Sequence, residues 1–193
     1  MTPPDRTGTR ARYRYCPACG ARIDVDPPGR CPACGEPFWS NAKPCAGTVI
    51  VHGGRALLVR RAIAPYEGRW DIPGGFCDGA ELPPVTAVRE AREETGLDVV
   101  LGPLLGMWND SYAGDDPPSI TLNHYYLARA ETVDGLVLDR ENSEAGWFGP
   151  GEIPWQDLSY PDHLPDVLAT WIDLPGSGAD AADGPRPGHT SMP

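Results

Sequence analysis

The stretch from Gly74 to Leu97, GGFCDGAELPPVTAVREAREETGL, constrains this chain more than any other. A glycine pair and a polar loop run into Pro83-Pro84, a good helix start because proline at the first helical position gives up no hydrogen bond. Gly96 suits the cap at the far end. The segment between places Glu90, Glu93 and Glu94 within five residues. At about 100° per residue, with Glu90 as zero, Glu93 falls near 300° and Glu94 near 40°. Val85, Val88 and Ala91 fall between roughly 100° and 220°, so the spacing predicts an apolar buried face opposite a face of three carboxylates. Three like charges this close raise one another's pKa unless a cation neutralises them. Carboxylate oxygens at helical spacing suit Mg²⁺ or Mn²⁺. A solvated charged face is the ordinary alternative for such a run.

Gly75, five residues, Glu81, seven residues, then Arg89-Glu90-Ala91-Arg92-Glu93-Glu94-Thr95-Gly96-Leu97 agrees with the Nudix box at every defined position. The chain thus resembles the Nudix hydrolases, a family that cleaves nucleoside diphosphates linked to another moiety. The resemblance implies an α/β fold, a Nudix α/β/α sandwich with a mixed sheet. It also implies that Glu90, Glu93 and Glu94 ligate Mg²⁺ (or Mn²⁺) with Gly75 joining through its carbonyl, and that Arg89 pairs with Glu81 to orient them. For the general base the resemblance offers Glu144, a further metal ligand by the same comparison, with Glu141 or a box glutamate as rivals.

Upstream lie Cys16-Pro-Ala-Cys19-Gly20 and Cys31-Pro-Ala-Cys34-Gly35, with eleven residues between Cys19 and Cys31. Two CxxC knuckles, each followed by glycine, suit a tetrahedral structural Zn²⁺. The residues between them carry too little apolar surface for a core, so the metal is expected to hold this zinc ribbon together. Arg22 and Arg30 are offset by Asp24 and Asp26, which leaves no basic patch. Cys45 and Cys77 lack CxxC partners and read as free thiols.

Ala46–His52 and Arg55–Arg60 read as a β-hairpin across Gly53-Gly54. Strands are expected over Val99–Trp108, Ile120–Ala130 and Ala145–Phe148, with a polar loop over 109–118 and a charged one over 131–143. Pro161–Leu174 reads as a last helix that buries Leu164, Val167, Leu168 and Trp171. The expected division is a disordered N-terminus 1–12, the zinc ribbon 13–38, the Nudix domain 39–174 and a disordered, low-complexity tail 175–193.

Zinc-ribbon members of the family include NADH pyrophosphatases, which carry SQPWPFPxS soon after the box. Here that region reads GMWNDSYAGDDPPS, and the chain is more similar to the ADP-ribose and FAD pyrophosphatase group, whose linker and last helix FWSNAKP and LSYPDHLPDVL fit. For substrate, Arg60 and Arg61 are candidates for phosphate contact and Tyr66 and Trp70 for stacking on a base. The bland readings are solvated arginines and packed aromatics. His124, in an apolar strand, reads as packed.

The net charge of −11 argues against a general nucleic-acid binder. No apolar run approaches the ~18 residues of a membrane span, and no secretory signal is visible. The expectations are therefore a cytoplasmic protein, a small-molecule nucleotide conjugate as substrate, no nucleic-acid or membrane partner, and, from the resemblance, a homodimer. Rival readings are a house-cleaning hydrolase of damaged nucleoside triphosphates and a ligand-sensing regulatory module, the latter at odds with a full set of box carboxylates.

Overall fold

The computed structural model describes residues 14–23, 27–39, 41–112, 119–175 and 190–191. The expected disordered N-terminus 1–12 and most of the tail 175–193 lie outside them. Two compact units share the chain: one comprises Met1–Ala42 with Ser111–Ile120, the other Lys43–Asp110 with Thr121–Pro193.

In the first unit each CxxC sequence forms a tight turn, closed by Gly20 N–H to Cys16 O (2.8 Å) and Gly35 N–H to Cys31 O (2.9 Å). Gly20 and Gly35 have φ of 73° and 79°, a left-handed conformation that a side chain would oppose. Tyr15 bridges to Arg22 beside the first turn. Strands β1 (Gly29–Arg30) and β2 (Pro37–Phe38) pair antiparallel around the second. Among the described residues its buried apolar core is Cys16, Ile23, Cys31 and Phe38.

The second unit is built on β3 (Lys43–His52) and β4 (Arg55–Arg61), the expected hairpin, with Gly53 and Gly54 both at positive φ. Residues Cys45 through Ile50 are all buried because β3 lies inside the sheet with both faces covered. Beyond it come β5 (Trp70–Asp71), which pairs with β4, and β6 (Gly74–Phe76), which pairs with β3. Then follow helix α1 (Pro83–Thr95), β7 (Val99–Tyr112), β8 (Ser119–Ala130), β9 (Asn142–Phe148), a 3₁₀ turn at Trp155–Asp157, and α2 (Leu164–Ile172). A two-residue strand, β10 (Thr190–Ser191), lies beside Ala145 and Glu144 of β9. Across the sheet the order is β10-β9-β4-β3-β8-β7. β3 runs antiparallel to β4 and parallel to β8, so the sheet is mixed.

Adjacent residues on a strand point to opposite faces, and two cores follow from this. Val49 and Leu58 pack with Ile72, Tyr125 and the α2 residues Leu164, Val167, Leu168 and Trp171. Ile50 and Leu57 pack with Ala91 of α1, Leu97, Ala128, Leu138 and Trp147. One helix thus covers each face, giving the expected α/β/α sandwich, and the four apolar residues named for the last helix are those it buries.

Several boundaries differ from expectation. β7 runs on to Tyr112, so Asn109–Tyr112 are strand and not loop, and β9 begins at Asn142. Polar side chains here sit on a half-exposed strand, which composition alone reads as loop. The last helix is shorter, Leu164–Ile172.

The larger correction concerns α1. Its buried residues are Thr86, Ala87, Ala91 and Thr95, whereas Val85 is 56% and Val88 37% exposed. In the same projection these four span an arc from about 320° through 0° to 140°, which contains Glu90 and Glu94. The carboxylates therefore lie on the side facing the sheet. Small alanines and threonines let the helix settle close to the strands, and the two valines are left outside.

Candidate active site

Arg89 is the hub of the site. Its Nε donates to Glu81 Oε1 (3.1 Å) and its second terminal nitrogen to Glu81 Oε2 (2.9 Å) and Phe76 O (3.1 Å). Its first terminal nitrogen donates to Glu90 Oε1 (2.7 Å) and Glu93 Oε2 (2.9 Å). The planar guanidinium can do this because its donors point in fixed, separate directions. Glu81 accepts as well from Thr86 Oγ1 (2.7 Å), and its carboxyl is held down to about 2, chiefly by the Arg89 hydrogen bonds. The expected Arg89–Glu81 pair is thus present, and one arginine binds the loop before α1 to two carboxylates on it.

Glu90 lies against Gly75: a Cβ there would stand 2.6 Å from the Glu90 carboxyl carbon. Only glycine permits that approach. Burial raises the Glu90 pKa despite Arg89. Glu94 is pushed well up, first by burial and then by the charges of Asp71, Glu90 and Asp139. Glu93 is the outlying member, with a side chain 58% exposed.

Half-buried carboxylates that repel one another form an oxygen donor set in need of positive charge, which fits a hard divalent cation. The helix carboxylates do not close into a tight cluster, however. Among the described residues, the only three or more His, Cys, Asp or Glu ligand atoms lying within 4.8 Å of one another are the four cysteine sulfurs.

Those sulfurs have the spacing a tetrahedral Zn²⁺ site requires. Cys16 Sγ to Cys34 Sγ is 3.8 Å and Cys19 Sγ to Cys31 Sγ is 3.7 Å. A tetrahedron with Zn–S of about 2.3 Å has edges of about 3.8 Å. The Cys31 thiol is drawn down to about 7, first by the Cys34 backbone N–H, which favours the thiolate a metal needs.

The other candidates are committed to partners. Arg61 donates from Nε to Pro65 O (2.6 Å) and from a terminal nitrogen to Asp71 Oδ2 (3.0 Å), and its guanidinium lies over the Tyr160 ring. Arg60 reaches Asp157 (2.9 Å) and, more loosely, Glu144 (3.4 Å), and lies over the Trp70 ring. Trp70 is a core residue, edge-on to Phe148 at 5.0 Å. Tyr66 is half-buried, its ring 4.8 Å from that of Tyr160. Glu141 is exposed; its backbone N–H donates to Asp139. His124 hydrogen-bonds the Cys45 carbonyl, as a packed histidine does.

Asp71, Asp139 and Asp157 were not singled out from the sequence. Asp71 alone leaves a trace there, a charge between the apolar Trp70 and Ile72. Its burial sets a measurable expectation. Arg61→Ala leaves the Asp71 carboxylate, with only 9% of its side chain exposed, without its cation. Losing one partner of a buried pair costs about 3 kcal/mol. Urea unfolding of Arg61→Ala should show that loss; if stability is unchanged, the pair is not a structural one.

Comparison with known proteins agrees with this geometry. The NUDIX domain family matches residues 42–169. A Pseudomonas aeruginosa protein named NAD-capped RNA hydrolase NudC is 29% identical over 76% of this chain and 52% of its own, so the chain spans about half of that relative. A Bacillus subtilis protein named putative ADP-ribose pyrophosphatase YjhB is 32% identical over 72% of this chain and 65% of its own. Another from the same organism, named putative 8-oxo-dGTP diphosphatase, is 28% identical over 55% and 65%. The crystal structure of a NUDIX hydrolase from Nitrosomonas europaea superposes with a TM-score of 0.69 at 28% identity, covering 81% of this chain and 88% of that one. With its mixed-sheet sandwich, its helix of inward carboxylates and a family match over most of its length, the chain belongs to the Nudix family and carries a Nudix hydrolase domain.

Proposed function

We propose that this protein hydrolyses the pyrophosphate bond of a nucleoside diphosphate linked to another moiety, of the ADP-ribose, FAD or NADH kind, in a Mg²⁺-dependent reaction that releases a nucleoside monophosphate. The observation that carries the reading is the inward placement of Glu90 and Glu94 on α1, with Gly75 against Glu90. The names of the NudC and YjhB relatives support a dinucleotide or nucleotide-sugar substrate.

Glu90, Glu93 and Glu94 would hold the ion, with the Gly75 carbonyl. When bound it supplies charge to neutralise the pyrophosphate oxygens and makes a nearby water easier to deprotonate. Arg89 and Glu81 keep Glu90 and Glu93 in register, leaving little to reorganise in the transition state. Water adds to one phosphorus as the bridging P–O bond breaks, and the departing phosphate keeps the bond electrons. Glu144, with Glu141 or a box glutamate as alternatives, takes the proton from water. The four cysteines would hold a structural Zn²⁺ in the first unit.

A panel of ADP-ribose, FAD, NADH, 8-oxo-dGTP and NAD-capped RNA with Mg²⁺ or Mn²⁺, its products separated by chromatography, tests this. AMP from the small conjugates is the expected product. Pyrophosphate released from the triphosphate would replace the reading with house-cleaning, in line with the 8-oxo-dGTP diphosphatase relative. Preference for capped RNA would overturn the expected absence of a nucleic-acid partner. No turnover at all would favour a ligand-sensing role. Homodimer formation, which we infer from family resemblance, is read by light scattering as twice the 20.8 kDa chain mass.

A further inference from the structure

Asp110, His163 and Tyr125 form a buried hydrogen-bonded chain that the proposed reaction leaves unused. His163 Nδ1 lies 2.8 Å from Asp110 Oδ2, and His163 Nε2 lies 2.8 Å from the Tyr125 hydroxyl. His163 is 2% exposed, Tyr125 9%, and the Asp110 side chain 9%. The three come from β7, β8 and the residue that opens α2, so the chain joins two strands to the helix covering that face of the sheet.

Donor and acceptor counting assigns the protons. A neutral imidazole protonated at Nδ1 donates to Asp110 and accepts the Tyr125 hydroxyl at Nε2, which satisfies all three groups. Burial pushes the Tyr125 hydroxyl well up, which keeps it protonated and donating. The imidazole also stacks on the Tyr125 ring at 28° between planes, so the phenol is held at its edge and its face.

What the ring touches gives the chain a role beyond tying elements together. A Cβ on Gly47 would meet Tyr125 Cε1 at 2.8 Å and Pro73 O at 2.9 Å. Pro73 O accepts from Thr48 N–H at 2.9 Å. A Cβ on Gly74 would in turn meet Gly47 Cα at 2.7 Å, and Gly75, paired with Ala46, lies against the Glu90 carboxylate. The contacts run without a gap from Tyr125 through Gly47 and Pro73 to Gly74-Gly75 at the start of β6 and on to Glu90. Where backbone meets backbone with no side chain between, a small ring displacement has no soft group to absorb it.

We propose that Tyr125, His163 and Asp110 are positioning residues, which hold the Gly74-Gly75 segment of β6 where Glu90 must meet it. Their effect on turnover rests on the proposed function; their effect on β6 does not. Tyr125→Phe removes the hydroxyl and leaves the ring, orphaning His163 Nε2 in a buried place.

Hydrogen exchange of the full-length protein reads β6 directly. In Tyr125→Phe the amides of residues 74–77 should exchange about tenfold faster, with the tip of the β3–β4 hairpin, residues 51–57, and the far end of α2 as in wild type. His163→Gln keeps one donor and one acceptor and should fall between wild type and His163→Ala. On ADP-ribose, kcat should drop about tenfold in Tyr125→Phe with KM within twofold. Unchanged exchange at 74–77, or an equal rise at the hairpin tip, would reduce the chain to a general structural tie and overturn the proposal. If Tyr125→Phe does not fold, the exchange pattern of His163→Gln decides. If wild type turns over no member of the panel, the proposed reaction fails while exchange still judges β6.

Discussion

Glu94→Gln is expected to lower kcat about a thousandfold and leave the protein folded. A loss of that size corresponds to about 4 kcal/mol of transition-state stabilisation, within what metal ligation supplies to phosphoryl chemistry. Glutamine keeps the volume and one oxygen but removes the charge. In the metal-free protein that charge is a burden, because burial and the neighbouring carboxylates of Asp71, Glu90 and Asp139 all act against it. The variant should therefore melt no lower than wild type without added metal. It should also lose most of the upward shift in melting temperature that Mg²⁺ or Mn²⁺ gives wild type, since only binding to the folded state produces that shift. Steady-state kinetics and paired melts with and without metal provide the test. A near-normal rate would remove Glu94 from the metal site, and a large metal-free destabilisation would make it a structural residue.

Removal of zinc is expected to unfold the first unit and spare the second. Among the described residues its core is Cys16, Ile23, Cys31 and Phe38, two of which would themselves be ligands. So small a core cannot meet the ordering cost of the residues around it, at roughly 1–2 kcal/mol each. Structural zinc supplies about 10–16 kcal/mol in comparable modules. The second unit has two cores of its own, one on each face of its sheet. Chelation, or Cys31→Ser, should abolish amide protection around both cysteine turns while residues 43–110 and 121–175 keep their cooperative transition. Zinc content should fall in step. Protection that survives complete loss of zinc would rule out a structural four-cysteine site.

Much of the fold was legible because it depends on local chemistry. Glycines at 53 and 54 close a hairpin because both need positive φ. Pro83-Pro84 and Gly96 bound α1, and Gly96 is required twice over, since a Cβ there would stand 2.7 Å from Gly135 O. The Arg89–Glu81 pair followed from family resemblance and is present in full. The orientation of α1 was not legible. Periodicity assigns the valines inward because it weighs hydrophobicity, whereas the sheet selects the residues small enough for close approach. Arg60 reads as available to phosphate only because Asp157 and Glu144 are distant in sequence and adjacent in space, and Arg61 because the loop that returns Asp71 to it leaves no periodic pattern.

The sequence by itself determined that carboxylates gather on one short helix, that four cysteines form two knuckles suited to a metal, and the order of the main elements. Each rests on spacing within a few residues, which backbone geometry turns directly into proximity. The tertiary structure alone decided which way Glu90 and Glu94 point, which arginines are already paired, and that Asp110, Tyr125 and His163 meet. These depend on how close a helix comes to a sheet and on contacts spanning as many as 97 residues. Packing sets such contacts, and no local pattern records them.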